Sequence, residues 1–250
     1  MSSFARATAV EPIGDGRFAC EFDADWFGPR GPHGGLLAGL VVRAMQAAAG
    51  EDRPPRSLTV HFAAPPRPGP GELEVTEERR GGRLSTVSAR LLQGGDLMAL
   101  GVAALSAPRS SPDWADGAMP EVPHPEDLEP TLKRPHAPPF ARHFDFRAAS
   151  RSAGWMRFRE SRPLDAAAVA CLTDAWLPAI FARVQSRAVV PTVDLTVHFR
   201  APLPLPDDYV LGVFSSKRLS EGFWEEDGEL WTRDGRLIAQ SRQLALWIAV

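Results

Sequence analysis

The 250-residue chain has 44% hydrophobic and 24% charged side chains, which is enough apolar material to bury a sizeable core. Its formal net charge of −3 at pH 7 excludes the basic surface that nucleic-acid binding needs. Residues 1–10 lack the apolar segment of a secretion signal, and no apolar run approaches the length of a membrane span. We therefore expect a cytoplasmic protein that binds neither nucleic acid nor membrane.

The first half of the chain reads as a helix followed by a run of strands. An alternating segment at residues 17–22 predicts a strand, and an Ala/Leu-rich stretch at residues 35–49 predicts a helix. A strand at residues 58–65 follows, and Gly-Gly pairs then mark tight turns between further strands. These further strands are predicted at residues 71–80, 83–93 and 97–107. We assign residues 1–107 to one unit, a long helix with an antiparallel meander.

A proline-rich segment separates this unit from the rest. Nine prolines fall between residues 108 and 139, and proline interrupts both helices and strand pairing. We predict an extended connector over residues 108–140 that crosses the surface.

The second half repeats the order of the first. Residues 154–160 predict a strand and residues 165–184 an apolar helix, and the later strands are predicted at residues 209–218, 222–231 and 237–248. The sequence LTVHFAAP at residues 58–65 recurs with one substitution as LTVHFRAP at residues 195–202, 137 positions later. A repeat of about half the chain length indicates two fused copies of one unit, the second over residues 141–250.

Several familiar catalytic motifs are missing from the sequence. It has no Gly-x-Ser-x-Gly elbow, no His-Glu-x-x-His and no P-loop. Residues 14–19 fit the loose Gly-x-Gly-x-x-Ala form, but they precede a strand and do not open a helix, so a dinucleotide site is not expected. Cys20 and Cys171 stand apart without metal-ligand spacing, which favours two buried thiols over a disulfide or a zinc site. We expect neither a metal nor a cofactor.

Three segments carry a family resemblance. They are the Leu-Thr-Asp of residues 172–174, the Thr-Val-Asp-Leu-Thr of residues 192–196, and the GELWTRDGRLIAQSRQ of residues 228–243. Together they resemble the double hot-dog acyl-CoA thioesterases of the thioesterase II type. The resemblance extends over nearly the whole chain and implies an α+β fold of two fused repeats, each a long helix wrapped by an antiparallel sheet. It also implies an acyl-CoA substrate and hydrolysis of its thioester.

The resemblance implies a catalytic set in the second repeat. In that family an Asp, a Thr or Ser, and a Gln hold the attacking water, and the matching positions are Asp174, Thr192 and Gln243. Asp174 would accept the proton of the water, and the other two would position it. Without the resemblance, Asp174 reads as a solvated or capping carboxylate, Thr192 as an ordinary strand residue, and Gln243 as solvent-facing.

Substrate contacts are predicted around the first helix and the second repeat. The backbone N–H groups of Gly34 and Gly35 lead into the helix and could stabilise an oxyanion, although the glycines could equally serve close packing. His33 belongs to the same motif, where the family often carries an aromatic residue. Trp176 and Phe223 are candidates for an apolar acyl slot.

Two alternatives to a thioesterase stay open. One is an acyl-binding module without catalysis, because a shared scaffold does not establish chemistry. The other is a hot-dog dehydratase or hydratase, since residues 27–35 loosely echo a dehydratase loop, with Trp26 where such enzymes have a histidine. Related double hot-dogs often pair, so a homodimer is expected.

The repeat further predicts one active site per chain. The offset of the repeated strand maps Thr192 to Pro55, and aligning the last strands maps Gln243 to Ala103. Asp174 maps among residues 35–37, none of which can accept a proton.

Overall fold

The computed structural model describes residues 3–28, 30–50, 52–131 and 138–250. In these ranges, thirteen strands form one antiparallel sheet, and two further pairs of short strands lie outside it. No helix in these ranges is long and apolar enough to cross a membrane. The fold is a double hot-dog of the α+β class.

The first half contains two helices and eight strands. These are α1 Ser3–Ala7, β1 Glu11–Gly14, β2 Arg17–Phe22, β3 Phe27–Gly28, β4 Gly31–Pro32, α2 Gly34–Ala49, β5 Pro55–Phe62, β6 Gly69–Arg80, β7 Leu84–Gln93 and β8 Asp96–Ser106. The predicted helix and strands of this half are confirmed, with ends that shift by at most three residues.

The second half contains one α-helix and nine strands. These are β9 Phe144–Ala148, β10 Ala153–Phe158, α3 Ala166–Leu172, β11 Ala188–Val189, β12 Thr192–Phe199, β13 Val210–Ser215, β14 Leu219–Ser220, β15 Phe223–Thr232, β16 Leu237–Leu246 and β17 Ile248–Ala249. Short 3₁₀ helices lie at Ala24–Trp26, Pro125–Asp127, Pro139–His143 and Ala179–Ala182.

The strand order of the sheet reveals a two-fold relation between the halves. The order β1-β2-β6-β7-β8-β5 is followed by β12-β16-β15-β13-β10-β9, its mirror in chain position. The two repeated strands, β5 and β12, lie side by side and run antiparallel at the centre. Thr59 pairs with Thr196, which is its equivalent in the repeat, and the two hydroxyl oxygens are 3.0 Å apart. The sequence repeat therefore marks the centre of the continuous sheet.

Helices α2 and α3 pack against each other inside the wrap of the sheet. A Cβ built on Gly35 would lie 2.5 Å from the Cys171 carbonyl oxygen, and one on Gly39 would lie 2.8 Å from that of Ala167. The contact points advance toward the C-terminus of α2 and toward the N-terminus of α3, so the two helices are antiparallel. The first turn of α2 thus meets the end of α3.

The connector follows the prediction in its described part. Residues 107–124 form neither helix nor strand, and residues 132–137 lie outside the described ranges. Met119, Val122 and Leu128 pack on an aromatic cluster of the second half that contains Trp155 and Trp231. The connector therefore covers one face of the second repeat. The division into residues 1–107, 108–140 and 141–250 stays a prediction.

The predicted helix at residues 165–184 is wrong beyond Leu172. Helix α3 begins after Asp165, whose carboxylate caps it by accepting the Ala168 N–H at 2.8 Å, and it has only seven residues. Pro178 explains why the helix does not extend to residue 184, because proline has no N–H to bond the carbonyl of Asp174 four residues earlier and its ring clashes with that carbonyl. Asp174 therefore lies in a loop after the helix.

Candidate functional site

Asp174 lies where the end of α3 meets the first turn of α2. Its Oδ2 accepts the backbone N–H of Gly35 at 2.8 Å. Unpaired N–H groups and the helix dipole make a helix N-terminus favourable for a negative charge. The Asp174 side chain is only 14% exposed, so it is largely desolvated yet still reachable from solvent.

His33 holds the same junction from the other side. As the N-cap of α2 it accepts the Leu36 N–H through Nδ1 at 3.2 Å, so the neutral ring carries its proton on Nε2. That Nε2 donates to the backbone carbonyl of Asp174 at 2.8 Å. Both ring nitrogens are engaged within the protein and the side chain is 2% exposed, so the predicted substrate contact of His33 has no support in these contacts. His33 positions the Asp174 loop.

The environment of Asp174 raises the pKa of its carboxyl group. Burial is the largest cause, because desolvation disfavours the charged form. Three groups oppose this shift by favouring the ionised carboxylate: the His33 ring when it is protonated, the Gly35 N–H and the Gln243 amide. A raised pKa makes the Asp174 carboxylate a stronger base, which suits a group that accepts a proton during the reaction.

A chain of hydrogen bonds joins Thr192, Gln243 and an acid that sequence reasoning missed. The Thr192 hydroxyl donates to Gln243 Oε1 at 2.8 Å. Gln243 Nε2 donates to Glu226 Oε1 at 2.8 Å, across the β15 and β16 pair. Gln243 is 5% exposed, so it is not the solvent-facing residue that its sequence alone suggested. The Gln243 amide also interacts with the Asp174 carboxylate, so the structure brings Asp174, Thr192 and Gln243 to one place.

Glu226 is a second buried carboxylate at this place. It is 5% exposed, and its Oε2 accepts the Ala179 N–H at 2.5 Å. Burial raises its pKa to about 7, the charge of Asp174 adds to the shift, and the bonds from Ala179 and Gln243 oppose it. A signal for it exists in the sequence, because Glu226 stands in phase with Trp224 and Leu230 on the inward side of an alternating strand.

Two predicted aromatic contacts do not line this site. Phe223 is 43% exposed and stands in the opposite phase of β15 from Glu226, so its side chain lies on the other face of the sheet. Trp176 packs edge-on against Phe146, with ring centroids 5.7 Å apart, and donates its Nε1–H to the Arg151 carbonyl at 3.2 Å. It anchors the loop after Asp174 to the sheet.

Other aromatic residues lie closer to the first turn of α2. Phe62, at the end of β5, would have its Cζ 3.5 Å from a Cβ built on Gly34. Phe140 stacks on the His33 ring with centroids 4.4 Å apart and lies against Gly28. Nothing in the linear sequence distinguishes these two from core residues. Pro29, in the loop that echoes a dehydratase, lies outside the described residues.

Space is tight around Gly34 and Gly35. A Cβ on Gly34 would lie 3.0 Å from Asp174 Oδ2, and one on Gly35 would lie 2.9 Å from the His33 ring. Both glycines are therefore required for close packing at the site. The Gly35 N–H already serves Asp174, which leaves the Gly34 N–H as the candidate oxyanion donor of the pair.

Comparison with known sequences gives two family matches and one relative. Residues 22–106 match the family described as acyl-CoA thioesterase N-terminal domain, and residues 103–247 match the acyl-CoA thioesterase C-terminal domain. An uncharacterized protein of Mycobacterium tuberculosis, Rv0499, is 29% identical, with 97% of each chain covered.

Two solved structures show the same fold over the full chain. A hot-dog protein of unknown function from Alicyclobacillus acidocaldarius has a TM-score of 0.93 and 27% identity, covering 100% of this chain and 99% of its own. A candidate thioesterase II from Thermobifida fusca has a TM-score of 0.85 and 28% identity, covering 98% of this chain and 99% of its own.

Proposed function

Because this chain belongs to the acyl-CoA thioesterase family, we propose that it hydrolyses an acyl-CoA thioester to a free acid and CoA. The observation that carries the proposal is the Asp174 carboxylate, buried at the first turn of α2 beside the amide of Gln243. A carboxylate of raised pKa, held next to an amide that is itself bound by a hydroxyl, matches what water activation needs.

The proposed reaction is a direct attack by water. Asp174 Oδ2 is engaged by the Gly35 N–H, so we assign Oδ1 as the oxygen that takes the proton of the water. The resulting hydroxide bonds to the thioester carbonyl carbon, the C–S bond then breaks, and the proton held by Asp174 passes to the departing CoA thiolate. Thr192 and Gln243 would orient the water.

The negative charge that develops on the carbonyl oxygen needs a donor. We assign this role to the Gly34 N–H, at the positive end of the 16-residue helix α2. Phe62 and Phe140 flank this turn and are the residues we assign to the acyl side of the pocket. The length of the acyl chain and the identity of the thiol carrier are to be determined by experiment.

The proposal is tested by thiol release from a panel of acyl-CoA substrates. Asp174→Asn keeps the size of the side chain but removes its capacity to accept a proton, so kcat should fall on the order of 10²- to 10⁴-fold. Asp227→Asn is the matched control, since Asp227 lies on the same sheet but pairs with Arg242 on the exposed face. The control should keep the wild-type kcat.

Each alternative function has its own outcome in the same experiment. Tight binding of an acyl-CoA without thiol release would identify a binding module. Hydration of an enoyl-CoA, measured in parallel, would identify a hydratase. Near-wild-type turnover by Asp174→Asn would contradict the mechanism proposed here.

A further inference from the structure

Glu226 has a feature that the proposed reaction does not use. It lies on the inward side of β15, next to the buried Trp224, where a charged side chain is costly unless its partners compensate. Its two oxygens are divided between two partners: Oε1 accepts from Gln243 Nε2 and Oε2 accepts from the Ala179 N–H. These two hydrogen bonds hold the Glu226 carboxylate in a fixed position within the site.

Glu226 determines the orientation of the Gln243 amide. An amide can rotate by 180°, which exchanges its donor nitrogen and acceptor oxygen. The Thr192 hydroxyl cannot decide between the two orientations, because a hydroxyl can donate or accept. Above its pKa of about 7, Glu226 is ionised and can only accept hydrogen bonds. It then requires Nε2 to face it and leaves Oε1 toward Thr192.

This orientation has a consequence at Asp174. The amide nitrogen carries two N–H groups, and with one directed to Glu226 the other stays available on the side of Asp174. The Gln243 amide stabilises the ionised form of Asp174, as an N–H donor does and a carbonyl oxygen does not. Rotation of the amide would turn an acceptor toward the group that has to be charged.

We propose that Glu226 is a positioning residue for hydrolysis, which sets the Gln243 amide so that its N–H faces Asp174 and the attacking water. The inference rests on the proposed hydrolysis. Glu226 acts through Gln243 and does not itself touch the substrate. Its second bond, to the Ala179 N–H, ties the loop that carries Asp174 to the same strand.

The isosteric variant Glu226→Gln separates the two bonds. Its amide oxygen can still accept the Ala179 N–H, but its amide nitrogen then faces Gln243 Nε2, donor against donor. Gln243 must rotate to relieve this conflict, so kcat should fall roughly 10- to 100-fold. Glu225→Gln is the matched control. Glu225 directly precedes Glu226 on β15, and its carboxylate accepts the backbone N–H of Lys217 on the exposed face.

A double-mutant cycle with Gln243→Ala distinguishes positioning from a general structural role. If Glu226 acts through Gln243, then Glu226→Gln should lower kcat in the wild-type background and change it less than about two-fold in the Gln243→Ala background. Equal losses in the two backgrounds, or full activity of Glu226→Gln, would overturn the inference. Thermal melting of each variant verifies that it is folded.

The same set of variants keeps the two proposals apart. Thiol release by the wild type that is lost in Asp174→Asn supports the hydrolysis, whatever the result for Glu226. Active wild type with an unaffected Glu226→Gln removes only the positioning role. A wild type that releases no thiol from any acyl-CoA removes the proposed function and the positioning role together.

Discussion

Asp174 and Glu226 are two carboxyl groups in one pocket with different hydrogen-bond partners. Burial raises the pKa of both. Asp174 is compensated by the His33 side chain, the Gly35 N–H and the Gln243 amide, and it stays reachable from solvent. Glu226 lies deeper, with the Gln243 amide and the Ala179 N–H against it, and Asp174 faces it as a like charge. The two groups titrate as a coupled pair around one amide.

The charge on Glu226 should lower stability at alkaline pH. Its pKa is raised from 4.5 to about 7, so the folded chain holds its proton more tightly than the unfolded chain. The resulting stabilisation is fully present below pH 4.5 and is lost as the pH rises through about 7. A shift of this size corresponds to about 3 kcal/mol. Glu226→Gln removes the charge, so it should be more stable than the wild type at pH 8.

Thermal melting at pH 5 and pH 8 measures this effect. The melting temperature of Glu226→Gln should exceed that of the wild type by several degrees at pH 8, and the gap should narrow toward pH 5. Glu225→Gln should show no such pH-dependent gap. A Glu226→Gln variant that is less stable than the wild type at pH 8 would show that the ionised carboxylate is a net stabilising group.

For single residues, the sequence indicates which ones belong to the candidate site but not which contacts their side chains make. Asp174, Thr192 and Gln243 are predicted only through the family resemblance, because none of them stands out by itself. His33, by contrast, turned out to cap a helix, since the position that a side chain reaches depends on the packing of a distant loop. Glu226 was missed although its place on the inward side of the strand was readable.

At the scale of elements, the short helix α3 is what makes the site possible. A helix that continued to residue 184 would have bonded the Asp174 carbonyl within itself. Pro178 prevents this, and the freed carbonyl accepts the His33 Nε2–H from the first turn of α2. The break also turns the Asp174 side chain toward the Gly35 N–H. The apolar pattern predicted a long helix because it does not register a proline near its end.

The contact between the two helices should be sensitive to a single methyl group. Gly35→Ala and Gly39→Ala both place a Cβ within 2.5 to 2.8 Å of a backbone carbonyl of α3, which cannot move like a flexible side chain. We expect each variant to lose roughly 1 to 3 kcal/mol of unfolding free energy, despite the better helix propensity of alanine.

The two variants should differ in catalysis. The Cβ of Gly35→Ala would also lie 3.0 Å from the Asp174 Cβ, so this variant should lose at least about 10-fold in kcat. Gly39 is one turn further along α2, away from Asp174, and Gly39→Ala should keep its kcat when assayed below its melting temperature. Equal losses of kcat would indicate that helix separation alone controls activity.

For the whole molecule, the repeat explains a sheet that one unit could not form alone. Each half wraps one helix, and the central strands β5 and β12 join the two wraps without a break. The architecture was readable from the sequence because the repeated strand lies at the two-fold centre, where both copies keep the same pairing. The expected homodimer stays a prediction.

The two halves have nevertheless diverged at the site. Gln243 pairs with Leu195 as Ala103 pairs with Leu58, and these leucines are equivalent in the repeat. By the same register, Glu226 corresponds to Val87, which pairs with Ala103. Thr192 corresponds to Pro55, as the sequence offset predicted. None of the first-half residues can replace its counterpart.

Comparison of the two helices corrects the position in the first half that corresponds to Asp174. Aligning α2 and α3 at their N-caps, His33 and Asp165, places Val42 opposite Asp174, and not one of residues 35–37. Val42 is fully buried and cannot accept a proton. The first half therefore contributes the start of α2 to a site whose polar groups come from the second half.

We therefore predict one active site per chain. A non-hydrolysable thioether analogue of acyl-CoA, titrated by calorimetry, should saturate at one ligand per chain. Gln243→Ala should lower total turnover on the order of 10²-fold, since no second site remains to sustain half of it. Ala103→Ser, a small change at the equivalent buried position, is the matched control and should keep the wild-type kcat. Two ligands per chain, or residual activity near one half in Gln243→Ala, would mean that the first repeat carries a site built from other residues.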